Sequence, residues 1–104
     1  MRNTIFLYVV CQSEAQACTI GHVLLEKHLA ACINRFPIAS SYWWQGTIVQ
    51  DQEFVLLIKT IETHYELVVK EIEQLHSYQV PCIAKINVQV NESFGQWLEN
   101  ECKS

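Results

Sequence analysis

The chain reads as one α+β domain built on a single antiparallel sheet. Three observations predict it. Four β-favouring stretches and two capped helical stretches alternate in the order strand, helix, strand, strand, helix, strand. Gln45-Gly46 separates two of those strands, making them a hairpin, and β-favouring residues run through 38–44 and 47–60 on its two sides. A last short helical stretch follows the fourth strand.

Each element has its own signal. "TIFLYVVC", residues 4–11, is a continuous apolar run, as expected of a strand covered on both faces or flanked on both sides. Ser13 offers an N-cap with Gln16 as its capping-box partner, and a helix follows to about Leu29 with Ala17, Ile20, Leu24 and Leu25 on its apolar stripe. The second strand begins near Ala31 and contains Pro37, which has no N–H to donate and so favours an edge or a bulge. The third carries "FVLLI" at 54–58. Thr63 and Glu66 repeat the capping box and open a helix to about His76, with Tyr65, Val68, Ile72 and Leu75 on one side. Pro81 ends the connection. "CIAKINVQV", residues 82–90, then alternates, with Ala84, Ile86, Val88 and Val90 on one face and Lys85, Asn87 and Gln89 on the other, a strand with a wet face. Asn91 or Ser93 starts the final helix, which buries Phe94, Trp97 and Leu98.

This order is the ferredoxin-like split βαβ sandwich with an extra C-terminal helix and a long hairpin between strands two and three. In that topology strands one and three are central and strands two and four are edges, matching the continuous and the Pro-containing or alternating strands respectively. The second hairpin arm, 14 residues, spans roughly 45 Å at about 3.3 Å per residue, more than one small sheet can pair.

Residues 1–104 form one domain, with no Pro/Gly/Ser-rich linker, repeat or low-complexity tract. Seven basic against eleven acidic side chains give a net charge of -4, and no Lys/Arg cluster stands out. Nucleic-acid and anionic-membrane binding are therefore disfavoured. The run Ile5 to Cys11 is too short to span a membrane, and Met1-Arg2-Asn3 makes a poor start for a signal peptide. Five widely spaced cysteines without a Cys-x-x-Cys pair read as free thiols of a reducing compartment, and the expected location is the cytoplasm.

Fold alone does not give function. An RNA-recognition module wants a basic platform and aromatic RNP segments, and neither is present. A heavy-metal-transport domain places Cys-x-x-Cys after the first strand, where this chain has Cys11 alone. An acylphosphatase needs an arginine-bearing phosphate cradle there, but "CQSEAQ" holds no arginine or glycine. No catalytic acid–base pair stands out, so a non-enzymatic role is expected.

Five segments, "EKHLAACIN" (26–34), "SSYWWQG" (40–46), "EFVLLIKT" (53–60), "HSYQVP" (76–81) and "SFGQWL" (93–98), recur in the same order and spacing in the CutA family, which the chain resembles over almost its whole length. The resemblance implies a ferredoxin-like fold, a tight homotrimer, and binding of copper or other divalent ions by some members, with no agreed enzymatic activity. A trimer also accounts for the excess hairpin, because three subunits pairing their hairpins in a ring satisfy edges that would otherwise invite aggregation. Trp43, Trp44 and Ile48 are its expected interface residues. Successive strand residues point to opposite faces, so one tryptophan is expected inward and the other against a neighbour or over the hairpin tip.

The topology brings the end of strand one, the end of helix two and the start of strand four to one rim, where Cys11, His76 and Cys82 are candidate metal ligands. Two thiolates and an imidazole suit Cu(I) or Zn(II). The resemblance matches Cys11 to a cysteine of some members and His76 to a histidine before their Tyr-x-x-Pro segment. A second family histidine is Leu75 here, the usual glutamate after the proline is Cys82, and Thr47 and Ile38 stand for a lysine and a glycine. A structural role for all three rim residues remains the alternative. Asp51 and Glu53 share one strand face; they are weighed as an interfacial carboxylate cluster with Lys59 or Arg35, and a solvated surface is the preferred reading. Cys18 and His22, one helical turn apart, are a possible chelate for which an ordinary helix surface is preferred, while His28 and His64 have no evident ligand partners. The other function class is a small-molecule sensor or scaffold in the manner of the PII-like trimers. For it Tyr42, Lys59, Tyr78 and Gln79 are candidates to line an intersubunit cleft.

Overall fold

A computed structural model describes residues 3–103. Met1, Arg2 and Ser104 lie outside the described residues, and with them most of the segment on which the signal-peptide reading rests. The described residues form strands β1 (Thr4–Cys11), β2 (Cys32–Trp44), β3 (Thr47–Ile61) and β4 (Ile83–Asn87), and helices α1 (Glu14–Glu26), α2 (Tyr65–Leu75) and α3 (Glu92–Glu101). The sheet order is β2-β3-β1-β4, every pair antiparallel. This is the ferredoxin-like arrangement expected, with β1 and β3 central.

The alternation of side chains along β1 divides the sheet into two unlike faces. Ile5, Leu7, Val9 and Cys11 are buried, and with Leu56 and Ile58 of β3 they form the core against Ala17, Ile20 and Leu24 of α1 and Val68 and Ile72 of α2. Gly21 lets α1 approach closely, since a Cβ there would stand 2.2 Å from the Ile33 side chain. Phe6, Tyr8 and Val10 face the other way and are only half-buried. Burial on both faces is thus not reached within one chain, because both long helices lie on one side. The open face also carries exposed Phe36 and Ile86.

Helix α1 starts as its capping signal requires. Ser13 Oγ accepts from the Gln16 amide at 3.1 Å, and the Gln16 side chain reaches back to the Gln12 amide at 3.0 Å. It ends three residues earlier than expected. His28 takes a left-handed φ of 56°, with the His28 amide on Leu25 O and the Leu29 amide on Leu24 O, the paired bonds of a Schellman stop. The second capping box does not form: a 3-10 turn, Glu62–His64, precedes α2, and His64 occupies the cap position without a side-chain bond.

The hairpin is longer than the rest of the sheet. Its register runs from Cys32↔Lys59 to Trp44↔Thr47, whereas β1 pairs β3 only from Thr4↔Ile61 to Cys11↔Phe54. Residues 47–53 of β3 therefore project past β1, roughly 20 Å at about 3.3 Å per residue. Gln45 and Gly46 both have positive φ, 50° and 85°, the backbone of a tight primed hairpin turn. Pro37 lies within β2, an edge strand, where a missing N–H is tolerated. Trp43 is 71% exposed, Trp44 40% and Ile48 62%, so neither tryptophan packs inward in the single chain.

Strand β4 is shorter than the alternating run. The Val88 amide still reaches Thr4 O, the first residue of β1, at 3.4 Å, and among the described residues no strand lies beside 88–90. In α3 Leu98 is buried and Phe94 half-buried, while Trp97, expected inside, is exposed with its ring against Phe94.

Candidate functional site

The rim residues converge on the backbone of Val10. The Val10 amide donates to Cys82 O at 3.3 Å, and His76 Nε2 lies 2.7 Å from Val10 O. The Tyr78 amide donates to His76 Nδ1 at 3.0 Å, which makes Nδ1 the acceptor and leaves the proton on Nε2 for the Val10 carbonyl. Both imidazole nitrogens are therefore occupied, and the ring ties the loop after α2 to the end of β1.

The thiols do not share a face. Cys11 follows the buried side of β1, whereas Cys82 continues the Val9↔Ile83 register opposite Val10 and is exposed. Burial, with the Glu53 charge added, pushes the Cys11 thiol up to about 11, so it stays protonated at neutral pH. As they stand, Cys11, His76 and Cys82 share the rim without forming a metal-ligand group. Among the described residues no three His, Cys, Asp or Glu side chains do so.

The cleft candidates divide likewise. Tyr42 Oη donates to Asp51 Oδ2 at 3.4 Å, and Tyr78 Oη donates to Glu53 Oε2 at 2.5 Å. Burial, the bond to Glu53, and the charges of Glu53 and Asp51 together raise the Tyr78 hydroxyl well above the ordinary phenol range. Two tyrosines and two carboxylates thus gather where the hairpin leaves the body of the sheet. Glu53 is only 4% exposed, which corrects its reading as solvated surface. Lys59 is not part of this group. It lies six residues further along β3, with Nζ 5.3 Å from the Phe6 ring centroid and 5.6 Å from that of Phe94. Gln79 is exposed in the loop beside Tyr78. Arg35, weighed as a partner for the carboxylates, belongs to the opposite sheet face by its Leu56 register.

Sequence reasoning named both tyrosines but missed Glu53 as their companion. The available signal was the two-residue spacing of Asp51 and Glu53 on the face that carries Tyr42. What hid it was Tyr78, which comes from a loop with no periodicity to reveal where it folds back.

The fold and these groups define a small ferredoxin-like protein with an overlong hairpin and polar clusters at the edge of an uncovered sheet face. A family model described as CutA1 divalent ion tolerance protein matches residues 5–101. The chain belongs to that family. It is 41% identical over 95 residues to the divalent-cation tolerance protein CutA of Thermotoga maritima, covering 90% of this chain and 94% of the relative. The solved structure of the periplasmic divalent cation tolerance protein CutA from Archaeoglobus fulgidus superimposes with a TM-score of 0.94 at 37% identity, covering 96% of this chain and 99% of that one. CutA1 from Pyrococcus horikoshii gives 0.92 at 35% identity over 96% and 99%.

Proposed function

We propose that this divalent-cation tolerance protein works as a homotrimer that binds divalent or soft metal ions, with copper the ion its thiols suit best, and that its role is binding rather than catalysis. The observation that carries assembly is the hairpin projecting past β1 beside an open apolar face. A monomer would leave that apolar area in water, and a closed ring of copies removes it. The names borne by the relatives support the metal role, and five free thiols support a reducing, cytoplasmic setting.

At the rim, Cys82 offers the accessible thiol and His76 the imidazole, which coordinates only by releasing the Tyr78 amide or the Val10 carbonyl. Cys11 joins them only when the rim opens. Calorimetric titration of the reduced protein with Cu(I) or Zn(II) tests this. Cys82→Ser should weaken one binding event more than Cys11→Ser does, with assembly intact. Unchanged binding in the double variant would remove the rim from the account.

A second reading, a PII-like sensor with an intersubunit cleft, is favoured by the Tyr42–Asp51 and Tyr78–Glu53 group on the open face. A thermal-shift screen of nucleotides against metal ions separates the two, since a ligand of the native state alone raises its midpoint.

A further inference from the structure

Helix α1 holds a second pair of soft donors, away from the rim. Cys18 and His22 are one turn apart, and Cys18 Sγ lies 3.9 Å from His22 Nε2. Among the described residues neither side chain makes another hydrogen bond to the protein. Cys18 is half-buried and His22 exposed, and their contact lies on the solvent side of the helix. The contrast with the rim is direct: His76 has both nitrogens engaged and Cys11 is buried.

The separation suits one bridging ion. With zinc's distances of about 2.3 Å to sulfur and about 2.0–2.1 Å to nitrogen as a yardstick, donors this far apart subtend an angle of about 130° at the metal, between tetrahedral and linear. Glu14 and Glu26 continue the same line of four-residue spacings one turn to each side, adding negative charge beside a cation. They do not complete a three-ligand group. A hard ion needing about six oxygens is thereby disfavoured, and an ion satisfied by two or three soft donors is favoured.

We propose that Cys18 and His22 form a bidentate clip for a soft, low-coordinate metal ion of the Cu(I) or Ag(I) class on the solvent side of α1. Binding forms a sulfur–metal bond as the thiol proton passes to solvent, while the imidazole coordinates through the Nε2 lone pair and keeps its proton on Nδ1. Any further coordination position is filled by water or a small thiol. The clip shares no residue with the rim, so either site can fail without the other.

The test titrates the full-length reduced protein with Ag(I), a probe that needs no reductant to hold its oxidation state, against a chelating competitor while the His22 imidazole nitrogen resonances are followed. The Nε2 resonance should move in the parent and in the Cys11→Ser/Cys82→Ser variant, and stay fixed in Cys18→Ser. His22→Gln, on an exposed helix position that does not threaten the fold, should weaken Ag(I) uptake at Cys18 by about tenfold or more. The clip is overturned if Cys18 takes up Ag(I) with the His22 resonance unmoved, if His22→Gln binds as the parent does, or if Cys18 takes up none. In those cases the 3.9 Å contact is an ordinary thiol–imidazole hydrogen bond.

Discussion

Glu53 keeps its carboxylate almost out of water because the Tyr78 hydroxyl donates to it. A buried acceptor that loses its donor bears the desolvation cost alone, so Tyr78→Phe should destabilise the protein by about 1–3 kcal/mol, read from denaturant midpoints. An unchanged midpoint would mean that water replaces the hydroxyl. Cys11 supplies a pH signature. Its thiol rises from 9.0 to about 11 in the folded state, so the protonated form is the one folding favours. That contribution is complete below pH 9 and is lost as pH climbs through 11, and Cys11→Ala should flatten this part of the stability profile. Iodoacetamide at pH 8 should accordingly leave Cys11 unmodified until unfolding. At this scale the sequence was least informative: it identified thiols, imidazole and tyrosines, but not that the His76 ring spends both nitrogens on backbone groups.

Elements were legible wherever a local signal determines them. Ser13 caps α1 as its signal requires, with the Gln16 side chain on the Gln12 amide rather than on that of Ser13, and the Gln45-Gly46 turn falls where its residues demand. Thr63 and Glu66 show the limit of such motifs, because β3 runs to Ile61 and hands over to a 3-10 turn that displaces the cap to His64. The run 82–90 erred for a different reason, since alternation reports what a segment can pair with and not where its neighbour ends. Trp43, Trp44 and Ile48 follow the same logic: apolar patterning marks them for burial, and a single chain offers no surface to bury them. Deleting Trp44 to Ile48 should therefore weaken assembly far more than it changes the circular dichroism of the remaining sheet. An equal loss of both would make the hairpin tip part of the folding core.

For the whole molecule, topology was legible because the alternation of elements, the continuous central strands and a proline-bearing edge agreed on one strand order. The proposed assembly has its sequence signal only in excess: more hairpin and more exposed aromatic surface than one domain of 104 residues uses. If folding and association are coupled, thermal unfolding must depend on concentration, with the midpoint rising on a hundredfold increase in protein under reversible conditions. The central claim is that this CutA-family chain functions as a closed ring of three. Sedimentation equilibrium of the purified protein at micromolar concentration tests it most directly: a single species with the mass of three chains is predicted, and a stable monomer would contradict it.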